Sequence, residues 1–248
     1  MRIKAACVLA LLAVMLASAG PAWAQVPFDA VYEVRVDGKP RLETRIRLFN
    51  QDDRWVLESA TEGTGGLARF LKVASAEHSS GSWVDGRYRP QAFSHHSKVA
   101  GKDERWSAAF DWSSDQVETR VEDTAHTLEI TPETVDPLSL TLMLGRLLAD
   151  GGTDFEVRVV DEDAVDQHRY RSSGPSQLQT ALGCLEVVAL ERIRENSKRY
   201  STGWYAQAHH FLPVRVQHGK RGGKEFDMRI VSLSLDGQPL TPGEDCPD

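Results

Sequence analysis

The sequence predicts a mainly β protein: a large curved antiparallel sheet or incomplete β-barrel, built as a meander, with one buried apolar α-helix. Three observations predict it. Short apolar and polar alternations recur over residues 28–235, turn residues separate them, and only segment 137–149 of the mature chain is apolar around nearly a whole helical circumference.

The alternation starts with Phe28, Ala30, Tyr32, Val34 and Val36, and Asp37-Gly38 then supplies a hairpin turn. Leu42, Thr44, Ile46 and Leu48 continue it as far as Asp52-Asp53. Further strands are predicted over 54–61, 75–84, 88–99, 103–112, 116–122 and 126–130, then 155–160, 167–173, 185–194 and 199–205. A last hairpin spans 211–230, with HGKRGGK at its tip. That tip lacks the serine or threonine and the following helix that a phosphate-binding loop needs, so it reads as a basic turn. One apolar and one polar face per strand is what a sheet with a single buried face requires.

The helix predicted over 137–149, PLSLTLMLGRLLA, has Asp136 as its cap, Pro137 at its first position and Asp150-Gly151-Gly152 beyond its end. Arg146 is its only charge. At about 1.5 Å per residue it spans roughly 20 Å, too short for a bilayer but suited to filling the concave face of a sheet. Segment 62–75 is the other exception: Gly63, Gly65 and Gly66 precede Leu67, Phe70 and Leu71 at helical spacing. It reads as a helical turn packed on the sheet edge, or as a glycine-hinged lip over an apolar cavity.

Residues 1–24 have the form of a secretory leader: Arg2 and Lys4, an apolar run over 5–19, and small Ala22 and Ala24 before cleavage at Gln25. Cys7 stands at the start of that run, not after it where a lipid-anchor cysteine belongs. The expected organisation is therefore a leader, 1–24, and a single β-rich domain, 25–248, with a loose tail from about 238. The leader carries two of the 29 basic residues and none of the 36 acidic ones, so the mature balance is −9. Such a chain has little long-range attraction for nucleic acid, and no integral membrane segment is expected. Cys184 and Cys246 remain, either bridged in an oxidising compartment or left as a buried thiol and a loose one.

Chemistry-bearing constellations are sparse. No G-x-S-x-G turn, H-E-x-x-H helix or zinc-spaced Cys and His cluster occurs. The pairs His95-His96 and His209-His210 would point to opposite faces on a strand, and neither a metal nor a cofactor is expected. Carboxylate groups such as Asp161-Glu162-Asp163 fall in predicted turns. The tryptophans either line a cavity or fill the core. A catalytic set is not expected, and a hydrolase is the least favoured reading.

Taken together, FDAVYEVRVDGKPRLETRIRL, GGLARFLKVASAEHSSGSWVDGRYRPQAFSHH, PETVDPLSLTLMLGRLLADGG, LQTALGCLEVVALERI and TGWYAQAHHFLPVRV resemble, in that order, the bacterial envelope family called domain of unknown function 3108. The motifs are G-x-Y-x-P, D-P-L-S-L and a tryptophan followed at a fixed distance by L-P-V. Asp136, Leu138, Ser139, Trp204, Leu212, Pro213 and Val214 correspond to framework positions, while Val135 departs from the arginine or glutamine more common there. The resemblance implies a periplasmic protein of unassigned activity, similar in outline to the half-barrel lipoprotein carriers of the Lol pathway. The expected function is a lipid or other apolar small molecule held between sheet and helix, with Leu67, Phe70, Leu71, Leu140, Met143, Leu144 and Trp204 as the ligand-binding residues. The alternative is a structural or interaction module that meets an envelope protein partner.

Overall fold

A computed structural model describes residues 26–84, 86–195 and 197–247. The leader and its cleavage site before Gln25 lie outside the described residues. The first half of the chain forms β1 (Phe28–Val36), β2 (Lys39–Gln51), β3 (Arg54–Gly63), β4 (Ala74–Val84), β5 (Arg87–Val99), β6 (Lys102–Asp111), β7 (Gln116–Val121) and β8 (Thr124–Glu129). The short helix α1 (Gly66–Phe70) connects β3 to β4. Then follow β9 (Thr134–Val135), helix α2 (Leu140–Ala149), β10 (Asp154–Asp161), β11 (Ala164–Thr180) and β12 (Gly183–Ile193). The chain ends with β13 (Arg199–Ala206), β14 (Leu212–Lys220), β15 (Glu225–Leu235) and β16 (Gln238–Pro239). Among the described residues, no helix is long and apolar enough to cross a membrane.

All the strands belong to one sheet, ordered β8-β7-β6-β5-β4-β3-β2-β1-β15-β14-β13-β12-β11-β10-β9, with β16 paired on β15. It is two meanders joined at one seam. There Phe28 of β1 stands opposite both Leu48 of β2 and Leu235 of β15. The sheet stays open, with β8 and β9 at its ends. Across the gap Thr119 donates to the Glu162 carbonyl at 2.5 Å without forming a ladder.

Several elements differ from the sequence reading. The β9 to β10 pairing is parallel, whereas antiparallel strands were expected throughout. β11 runs far past residue 173, because a register shift between Ser172 and Pro175 lets the strand absorb Gly174-Pro175 as a bulge instead of turning. His209 and His210 lie at the end of a 3-10 turn (Gln207–His209), not on a strand. The tail is also held. Leu240 N–H donates to Leu233, Gly243 N–H to Leu182 and Cys246 N–H to the Gln179 side chain, while Cys184 N–H donates to Glu244. Cys184 and Cys246 form a disulfide that clasps the tail to the hairpin of β11 and β12.

Helix α2 crosses the concave face and divides the core. Leu138 and Leu142 join the cluster around Tyr32, Leu48, Trp55 and Leu57, while Met143, Leu144 and Leu148 join Phe155, Val157, Leu190 and Tyr205. The helix begins later than residue 137, because Asp136 first closes a turn. Its buried carboxylate accepts from Leu138 N–H at 3.0 Å, Ser139 N–H at 2.9 Å, and the Ser79 and Ser139 hydroxyls, each at 2.6 Å. The Ser79 bond ties the start of α2 to β4. Further along, a Cβ on Gly145 would lie 2.8 Å from the Phe211 carbonyl oxygen, so α2 approaches the start of β14 as closely as glycine permits. Gly145→Val is therefore expected to lower stability by about 1–3 kcal/mol. A urea midpoint equal to that of wild type would show that the helix is not seated so closely.

Candidate functional site

The space between α2 and the sheet is partly open. Leu140, Thr141 and Leu144 of α2 face Gly203 and Tyr205 of β13, Pro213 and Val216 of β14, and Met228 of β15 across a cleft of about 150 Å³. Ile46, Tyr170, Leu190 and Ser201 complete its wall. Strand alternation explains the lining: Leu190 pairs with Gly203, Gly203 with Val216 and Val216 with Met228, so one row of inward positions crosses four strands. Gly203 brings no side chain to that row, and the Tyr205 ring lies over it, 2.8 Å from where a Cβ would stand.

The polar side chains that line this cleft, Thr141, Tyr170, Ser201 and Tyr205, are neutral. Burial raises the phenol pKa of both Tyr170 and Tyr205. His168, whose Nδ1 lies 3.3 Å from the Tyr170 hydroxyl, has its pKa lowered to about 4, first by burial and then by the charge of Arg192. An uncharged wall of this kind favours apolar contact over acid–base chemistry.

Of the ligand-binding residues expected from sequence, Leu140 and Leu144 meet in the cleft. Met143 lies on another side of α2, lining a hollow of about 240 Å³ with Leu147 and Val157 beneath charged Arg87, Glu133, Arg146 and Asp150. Trp204 points to the opposite face from Gly203 and Tyr205, where Arg215 stacks on its ring at 4.8 Å. Leu67, Phe70 and Leu71 do not reach the cleft. Helix α1 stands over the start of β2, with Leu67 and Phe70 66% and 80% exposed. Nor do the neighbouring glycines act as a hinge. Thr64 and Gly65 both donate to the Arg41 carbonyl, and a Cβ on Gly63 would sit 2.4 Å from the Ala68 oxygen, so the turn is closely packed. Sequence reasoning missed Tyr170, Leu190, Tyr205 and Val216, although Tyr205 and Val216 follow from the inward alternation of their strands.

A family model described as "Protein of unknown function (DUF3108)" matches residues 28–229. The chain belongs to the DUF3108 family. Its fold is similar to that of a β-barrel-like protein of the domain of unknown function DUF1849 from Brucella abortus. The TM-score is 0.53 and the identity 10%, over 85% of this chain and 98% of that one. At such identity the likeness is one of fold alone. No curated protein matches the chain. The DUF3108 match includes Asp136, α2 and every residue of the cleft, and stops before the pinned tail and Cys246.

Elsewhere on the concave face of this DUF3108 chain, His95 Nδ1 lies 3.1 Å from Glu77, which raises the His95 pKa by hydrogen bonding. His96 turns the other way, to Asp103 at 2.8 Å. Among the described residues, no group of three or more His, Cys, Asp or Glu side chains is arranged to hold a metal ion.

Proposed function

We propose that this DUF3108 protein is an exported envelope protein of the periplasm that binds the apolar end of a lipid or another apolar small molecule between α2 and the sheet. The observation that carries the reading is the cleft itself, an apolar opening left beside a helix that is anchored in both core clusters. Its size limits what enters. An engineered apolar cavity of about 150 Å³ takes a benzene-sized group, and whole drug-sized ligands occupy roughly 300–1,000 Å³. The cleft therefore takes the end of a chain or a ring, with the remainder outside. Export is supported by the leader-like residues 1–24 and by the Cys184–Cys246 bridge, since disulfides persist in oxidising compartments.

Native mass spectrometry of gently extracted protein and displacement of a fluorescent fatty acid test the reading. Bound lipid and competitive displacement are expected. Val216→Phe, which fills the cleft, should weaken displacement at least tenfold while the circular dichroism melt stays cooperative. Leu71→Asp should leave it unchanged, because Leu71 lies outside the cleft. Failure of both ligand measurements on wild type would remove the carrier reading.

The exposed Leu67 and Phe70 favour a second reading, an interaction module for an envelope protein partner. A photo-crosslinker at position 70 would then trap one defined partner in intact cells.

A further inference from the structure

The inward row that lines the cleft continues into a group of cations. Leu190 borders the cleft, Arg192 follows it at the next position of the same parity and extends the same face of β12, and Arg194 stands one residue beyond the strand's end, where its charge acts on both Arg192 and His218. Arg192 stands opposite Tyr170, itself a cleft residue. Across the row, His218 follows Val216 on β14 and stacks on Phe226 at 4.9 Å. Arg192, Arg194, His168 and His218 thus border the same stretch of the concave face.

These arginines are unusual for an acidic protein. Both are half-buried, and burial pushes both guanidinium pKa values down. Among the described residues, neither side chain forms an ion pair or a hydrogen bond, and Arg194 Nη1 is buried with no hydrogen-bond partner. Asp161 and Asp166 attract Arg192 without pairing with it, and Arg192 and Arg199 repel Arg194. Arginines on the outer face show the contrast: Arg215 and Arg229 both bond to Asp227, and Arg169 and Arg171 to Asp154. Desolvated cations without a carboxylate lose free energy until an anion reaches them. A planar guanidinium pair matches a carboxylate or phosphate in shape and charge.

We infer that Arg192 and Arg194 form an anion-binding site at the edge of the apolar cleft, and that the ligand is an amphiphile with a carboxylate or phosphate headgroup. The inference rests on the cleft reading above and adds the chemistry of the exposed end. The apolar terminus occupies the space between Leu144 and Val216, while the headgroup displaces water from the two guanidinium groups. His168 and His218, kept neutral by burial, leave the arginines as the charge that selects the anion.

The test compares dodecanoate, dodecyl phosphate, dodecanol and inorganic phosphate by isothermal titration on the mature chain. Wild type should bind either anionic amphiphile at least tenfold more tightly than dodecanol, with affinity falling as salt rises. The double variant Arg192→Gln with Arg194→Gln should lose that preference while retaining dodecanol binding, and Arg192→Lys with Arg194→Lys should restore part of it. Undiminished preference in the glutamine variant overturns the anion site, as does wild type that binds none of the amphiphiles at millimolar concentration. Inorganic phosphate binding as tightly as dodecyl phosphate would also overturn it, by making the arginines a small-anion site. The cleft reading fails separately, if Val216→Phe binds every amphiphile as wild type does.

Discussion

Asp136→Ala is expected to destabilise the protein by about 3–5 kcal/mol, the range for removing one member of a buried, charge-assisted hydrogen-bond set. The residue is fully buried and accepts from two backbone N–H groups and two hydroxyls, one of them Ser79 on β4. Truncation leaves those donors without an acceptor and frees the start of α2, so the cleft should lose ligand binding along with stability. Urea unfolding of both chains measures the first effect. A loss below about 1 kcal/mol would mean that solvent replaces the carboxylate, and that α2 is held by packing alone. Burial raises the Asp136 pKa against the opposing pull of its donors. A carboxyl with a raised folded-state pKa contributes stability that is present below its unfolded value and lost as pH rises through the folded one. Asp136→Asn should therefore flatten the pH dependence of stability above the ordinary carboxylate range.

Reduction of the Cys184–Cys246 bridge, or the Cys246→Ser change, is expected to cost roughly 4 kcal/mol by the chain-entropy relation for a loop of this length. The crosslink separates its partners by 62 residues, and that loop contains β13, β14 and β15. The tail's backbone bonds to Leu182 and Cys184 remain in the variant, so partial retention of the clasp is the competing effect. Thermal melts with and without reductant measure the difference, and Cys246→Ser should show no further loss on adding reductant. Equal melts of oxidised and reduced wild type would show that the hydrogen bonds alone hold the tail.

Most of the sheet was legible in the sequence because a one-sided sheet writes its burial as alternation, as in Phe28, Ala30, Tyr32 and Val34. The helix was equally legible, since Leu142, Met143, Leu144 and Leu148 have no polar side to show. What alternation does not provide is which face is concave. Trp204 drew attention as a large aromatic, yet the face with the glycine and Tyr205 turned inward. The start of β9 beside β10 and the pinned tail depend on contacts distant in sequence, and no local pattern encodes them. Arg192 and Arg194 carried a readable signal. They share the parity of Leu190 within the segment predicted as a strand, and an inward charge at a strand's end marks a place where solvent or ligand must arrive.

The seam between β1 and β15 has a consequence for how the chain reaches its native state. Nearly every other ladder joins neighbours in sequence, so each meander grows by local hairpins, whereas pairing Phe28 with Leu235 closes a loop across almost the whole domain. Closure of so long a loop makes this the slow, late step of folding. Until β15 has been synthesised, β1 presents an unpaired edge on its side away from β2, and an exposed edge of Phe28, Ala30, Tyr32 and Val34 is a template for pairing with another chain. The N-terminal meander is thus the segment that most needs protection while the rest of the chain emerges.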